Sequence, residues 1–91
     1  MTPRKPYRVQ LAPAATRQLD RLPPGEAARL RGPILALALE ARPLGVEKLQ
    51  GTELWRIRVG RLRVVYAIDE ERLVIVLRVA RRAESTYRRL P

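Results

Sequence analysis

Arg56, Arg58, Arg61 and Arg63 stand in a stretch, residues 54–69, whose polarity alternates with a period of two. Side chains two apart in an extended strand share a face, and paired strands lie about 5 Å apart. A hairpin turning at Gly60 therefore crowds these guanidiniums together. Like charges so close repel one another unless an anion joins them, and the planar fork of arginine suits the oxygens of a phosphate. Arg78, Arg81 and Arg82 follow, with Tyr87 close behind. Arginines beside an aromatic ring suit RNA, where the cation clamps phosphate and the ring stacks on an unpaired base. The expected chemistry is RNA binding by Arg56, Arg58, Arg61, Arg63, Arg78 and Arg81. Arg61 beside the turn is equally well explained as a solvated surface residue, and the ring of Tyr87 as packing against the sheet.

The overall charge agrees with a polyanionic partner: 19 Lys and Arg against 9 Asp and Glu give a formal net charge of +10 in 91 residues. Only Lys5 and Lys48 are lysines. A GC-rich genome would also enrich arginine codons, so position has to decide what the excess means. The absence of cysteine and histidine removes disulfides, thiolate metal sites and the commonest neutral-pH proton shuttle. A metal site or cofactor is not expected. No apolar run approaches the roughly 20 residues of a membrane span, and the first residues lack the apolar stretch of a signal peptide. The expectation is a cytoplasmic protein that does not engage a membrane.

The elements that must position the arginines follow from periodicity. Residues 7–11 alternate and predict a short strand. Ala15, Leu19 and Leu22 recur at helical spacing after Pro13, and Pro23-Pro24 ends that helix. Ala27, Leu30, Ile34, Leu37, Ala38 and Ala41 form the stripe of a second helix, in which Gly32-Pro33 predicts a kink or restart. Residues 42–52 read as a loop anchored by Leu49. Trp55, Ile57 and Val59 oppose Arg56 and Arg58, while Leu62, Val64, Tyr66 and Ile68 oppose Arg61, Arg63, Val65 and Ala67. Trp55 and Tyr66 therefore belong to the packed side. After a charged turn, the aliphatic residues 73–80 predict a central strand covered on both faces, and the tail a short helix. The order is β-α-α-β-β-β in a single domain over residues 1–91: an α+β fold whose small, mostly antiparallel sheet has two helices on one side and an open basic face on the other.

The run from Leu54 to Asp69, the aliphatic strand after it, and Arg81-Arg82 with Tyr87 behind closely resemble the RelE/ParE superfamily of toxin–antitoxin toxins. Upstream, Tyr7 and Val9, Ala15 and Leu19, Leu22-Pro23 and the segment from Pro43 to Gly51 sit where that family has them, so the resemblance covers about residues 7–88. It implies a RelE-like microbial RNase fold. The RelE branch implies a metal-independent endoribonuclease that cuts mRNA in the ribosomal A site, giving a 2′,3′-cyclic phosphate, and that is neutralised by a cognate antitoxin.

By motif position, Arg56 and Arg58 match the family's two basic residues on the second strand. Arg63 matches the arginine at the scissile phosphate, Arg82 the one at the leaving oxygen, and Tyr87 the C-terminal tyrosine. Arg56 and Arg58 replace lysines that RelE-type enzymes often carry, and guanidinium is a poor base. Proton transfer is left to Tyr87 or to Glu47, which stands two residues before Leu49 where a YoeB-like subgroup has its glutamate base; Glu47 also reads as a solvated loop acid. The catalytic set implied is Arg58, Arg63, Arg82, Tyr87 and Glu47. Two alternatives remain: a ParE-like inhibitor of DNA gyrase without RNase activity, and an inactive RelE-like binding module. Each version implies an antitoxin that lays an apolar, acidic helix on the toxin, with Arg17, Arg21 and Arg29 as candidate contacts.

Overall fold

Proline punctuates the first half of the chain. In the computed structural model, which describes residues 6–69 and 72–81, strand β1 (Arg8–Leu11) ends at Ala12, and Pro13 then starts helix α1 (Pro13–Arg21). Pro24 starts helix α2 (Pro24–Ala36) in the same way. A proline at the first helical position has its φ already set and no N–H to waste. Both helices expose their polar stripes and bury few residues: Ala15 from α1, Leu30 and Ile34 from α2.

The expected interruption at Gly32-Pro33 does not occur. Helix α2 runs through both residues, because Pro33 lies in its last turn and costs one hydrogen bond close to where the ladder ends anyway. The helix stops at Ala36, before the expected stripe is exhausted. The chain then closes in tight turns in which the Leu37, Ala38 and Leu39 amides donate to the carbonyls of Ile34, Leu35 and Ala36.

The remaining strands are β2 (Glu47–Lys48), β3 (Leu54–Val59), β4 (Leu62–Asp69) and β5 (Leu73–Arg81), and the sheet order is β1-β5-β4-β3-β2. All neighbours are antiparallel except β1 and β5, which run parallel from Arg8 opposite Leu73 to Leu11 opposite Val76. The α+β class with both helices on one side of a mostly antiparallel sheet is as expected, with one strand more. Within the segment expected to be loop, β2 pairs Glu47 with Arg56 and Lys48 with Trp55. Two residues are too few to display an alternating period, so nothing local announces this strand.

Leu62, Val64, Tyr66, Val74, Val76 and Val79 face the helices and form the core with Leu30, Leu37, Ala15 and Ile57. Tyr66 is fully buried, and its hydroxyl donates to the carbonyl of Ala41 at 2.7 Å, tying the segment after α2 to the sheet. Burial pushes the Tyr66 phenol up to about 12; Arg42 acts against that shift and Glu40 adds to it. Trp55 lies on the same side, with the Arg42 guanidinium 4.9 Å above its ring. An irregularity opposite Val65 and Tyr66 changes the pairing of β5: Val65 faces Arg78, whereas Tyr66 faces Val76. Leu77 is the extra residue of this bulge. It lets Val76 and Val79 both face the core and turns Arg78 to the other side.

Candidate nucleic-acid interface

The face of the sheet away from the helices is set by the strand registers. In one row Glu47, Arg56, Val65 and Arg78 lie side by side on β2, β3, β4 and β5. In the next row Arg58 stands directly opposite Arg63, which in turn faces Ala80. Arg56 and Arg63 are diagonal neighbours across β3 and β4. Of the four arginines expected to share a face, Arg56, Arg58 and Arg63 are brought together, and Arg78 joins them through the bulge at Leu77, on a patch roughly 10 Å across, two strand spacings.

The hairpin that places three of these arginines turns on Gly60 and Arg61 alone, between Val59 and Leu62. Gly60 takes a φ of 60°, the positive value that the first position of a type II′ turn demands. Arg61 sits exposed at the tip of this turn, outside the row of paired residues. Arg81 is turned away altogether. It pairs in register with buried Leu62, on the helix side, and its two terminal nitrogens reach the two carboxylate oxygens of Glu26 at 3.3 and 3.0 Å. The expected RNA contact of Arg81 thus does not fit its position. Beside it, the side-chain oxygen of Gln18 accepts the Val79 amide at 2.6 Å, beyond the point where β1 stops covering β5. Arg82 and Tyr87 lie outside the described residues.

Glu47 occupies a different setting from the solvated loop acid that the sequence allowed. Leu49 donates its amide to the carbonyl of Leu54, and Thr52 closes the same corner by donating to the Leu49 carbonyl and accepting from the Leu54 amide. Gly51, at φ 77°, completes the turn. This corner pins β2 against β3 and carries Glu47 to the arginine row. One carboxylate oxygen of Glu47 forms an ion pair with Arg56 and lies 3.6 Å from a terminal nitrogen of Arg58. The Arg56 side chain is only 12% exposed, against 54% for Arg58, so Arg56 forms the floor of the patch and Arg58 its accessible rim. Burial first, and then the charges of Arg63 and Arg58, push the Arg56 guanidinium below its ordinary value. Four cations and one carboxylate on a flat surface can bind a polyanion and stabilise charge developing on it. Among the described residues no group of three or more metal-ligating side chains comes together, and no helix is long and apolar enough to cross a membrane.

On the opposite side of the molecule, α1, α2 and β1 enclose an apolar groove of about 390 Å³ lined by Val9, Leu11, Leu19, Ala27, Ile34 and Leu35, with Arg31 and Asp20 at its rim. Leu11 and Leu35 are 41% and 58% exposed there, so the groove presents apolar side chains to solvent.

Residues 9–86 match the family described as the ParE toxin of the type II toxin-antitoxin system, parDE. Among solved structures, the RelBE2 toxin–antitoxin complex of Mycobacterium tuberculosis contains a chain 31% identical to this one, with a TM-score of 0.77 over 87% of this chain and 94% of that one. The RelE-RelB complex of the archaeon Pyrococcus horikoshii gives 28% identity and a TM-score of 0.75, covering 87% of this chain and 98% of that one. The isolated RelE toxin of Escherichia coli, at 20% identity, shares the fold with a TM-score of 0.74 over 90% of each chain. Comparison with curated proteins returned no relative.

Proposed function

Because this chain belongs to the RelE/ParE superfamily of type II toxin–antitoxin toxins, we propose that its basic sheet face is the working surface of an endoribonuclease that cuts mRNA in the ribosomal A site. The observation that supports this most is the convergence of Arg56, Arg58, Arg63 and Arg78 on one face. In this reading the RNA lies across the patch with the scissile phosphate at Arg63, and Arg58 closes over it from the rim. The ribose 2′-oxygen attacks phosphorus as its hydroxyl loses a proton. The bond from phosphorus to the 5′-oxygen breaks, and that oxygen takes up a proton, leaving a 2′,3′-cyclic phosphate and a 5′-hydroxyl. Extra negative charge on the phosphoryl oxygens falls to Arg56, Arg58 and Arg63, and charge on the leaving oxygen to Arg82. Proton transfer belongs to Tyr87 or Glu47, since the arginines are poor bases.

Primer extension on mRNA from translating ribosomes tests the reading: discrete cuts in the A site are expected. A second reading, inhibition of DNA gyrase without RNA cleavage, is favoured by the match to the ParE toxin description. Intact mRNA together with inhibited supercoiling would establish it instead. If cutting is found, Tyr87→Phe and Glu47→Gln variants identify the base, which is the one whose loss abolishes the cuts.

A cognate antitoxin completes the proposal. Its apolar helix would occupy the groove between α1, α2 and β1, with acidic residues reaching Arg31 at the rim and Arg17, Arg21 and Arg29 on the exposed helix surfaces. The net charge of +10 argues for an acidic partner.

A further inference from the structure

Arg58 and Arg63 face each other across β3 and β4, and Arg56 lies diagonal to Arg63. Three guanidiniums at such spacing need an anion between them. The protein supplies one from its own edge strand. Glu47 is directly opposite Arg56 in register, and a single carboxylate oxygen serves both Arg56 and Arg58. An oxygen anion shared by two guanidiniums has the contact chemistry of a phosphate held by the same pair.

We infer that Glu47 is a built-in stand-in for phosphate, seated where an RNA phosphate binds Arg56 and Arg58, and that RNA must displace it to bind. The inference rests on the reading of this face as phosphate-binding, but not on which residue moves the proton. Glu47 is 51% exposed and Arg58 54%, so the contact is a weak, part-solvated one that a phosphate can exchange. Its cost to RNA is that of separating Glu47 from both guanidiniums, the mostly buried Arg56 and the exposed Arg58. Its benefit to the free protein is a patch whose charges are partly neutralised, which keeps stray polyanions from binding indiscriminately. Glu47 is thus a specificity-determining residue: only an RNA that makes further contacts, as one held in a ribosome does, recovers the cost of moving it.

The test measures binding without cleavage. A short single-stranded 2′-O-methyl RNA lacks the attacking hydroxyl, and its affinity for the full chain is followed by fluorescence anisotropy over a range of salt. Glu47→Gln should bind about two- to fivefold more tightly than the unmodified protein, since a part-exposed ion pair is worth at most about 1 kcal/mol. Its salt dependence should steepen by about 0.7 in log–log slope, because one more cation becomes free to neutralise RNA. Glu53→Gln is the control for net charge. Glu53 is 94% exposed and paired with Lys48 at 3.5 Å, and removing it should shift affinity less than twofold. Equal or weaker binding by Glu47→Gln, with Glu53→Gln unchanged, overturns the inference while leaving the RNA face intact. An equal gain from both variants overturns it too, since net charge alone would explain the result. If an Arg58→Gln, Arg63→Gln double variant binds as well as the unmodified protein, the phosphate-binding face itself fails. Circular dichroism of each variant confirms that it is folded.

Discussion

Arg63 stands directly opposite Arg58 on the neighbouring strand, so a phosphate held there would meet two guanidiniums. Removing a preorganised donor of this kind from a developing oxyanion typically lowers the chemical rate by about 10²–10³. Arg63→Ala is expected to reduce cleavage on translating ribosomes by that factor, and Arg61→Ala, at the exposed turn tip, by less than about twofold; comparable losses from the two would mean that the register of β3 and β4 does not select the contacts. Tyr66, on the core face of the same strand, carries a different prediction. Its phenol is held at about 12, above its ordinary value, because the folded protein buries the neutral form. The stabilisation is therefore complete below pH 10 and lost as pH rises from about 10 to about 12. Tyr66→Phe should remove that part of the alkaline loss and, by deleting the hydrogen bond to Ala41, cost about 1 kcal/mol at neutral pH, both read from urea unfolding curves.

The elements hold these residues in place through a few backbone devices. Gln18 on α1 satisfies the Val79 amide where β1 no longer covers β5. Gln18→Ala leaves that donor without its acceptor and should cost about 1–3 kcal/mol, with faster hydrogen exchange at the Val79 amide than at Val74. Gly60→Val forces a branched side chain to the positive φ of the hairpin turn; a loss of at least about 1 kcal/mol is expected, whereas Gly60→Asn should be much milder. The same devices explain what could be read before the fold was known. Helix faces and the long strands were legible because Leu19, Leu30, Ile34, Val64 and Tyr66 recur at the periods of the structures they build. The shared face of Arg56, Arg58 and Arg63 was legible for that reason too. Glu47 on a strand, Arg78 turned out by the bulge at Leu77 and Arg81 turned in toward Glu26 were not. Each depends on a pairing partner far along the chain, and a bulge reverses the alternation from which direction is inferred.

At the scale of the molecule, two surfaces of opposite character sit on opposite sides of one sheet: arginines on the open face, an apolar groove among helices and β1 on the other. A partner filling the groove need not touch the arginines. Leu35→Glu, in the groove and 58% exposed, is expected to weaken antitoxin binding at least tenfold in titration calorimetry while leaving RNA affinity unchanged. Loss of both together would place the two surfaces under one ligand.

The parallel pairing of β1 with β5 sets an order in time. Arg8 finds its neighbour only in Leu73, and Leu11 only in Val76, so the first strand to leave the ribosome is the last to be given a place in the sheet. Local hairpins among β2, β3 and β4 can form early, yet the groove, which needs Val9 and Leu11 beside Ile34, does not exist until synthesis has passed Val76. The basic hairpin can therefore be assembled while the surface proposed for its inhibitor is still missing. On the proposed reading, each newly made copy passes through an interval in which the arginine hairpin can exist and the groove for its inhibitor cannot.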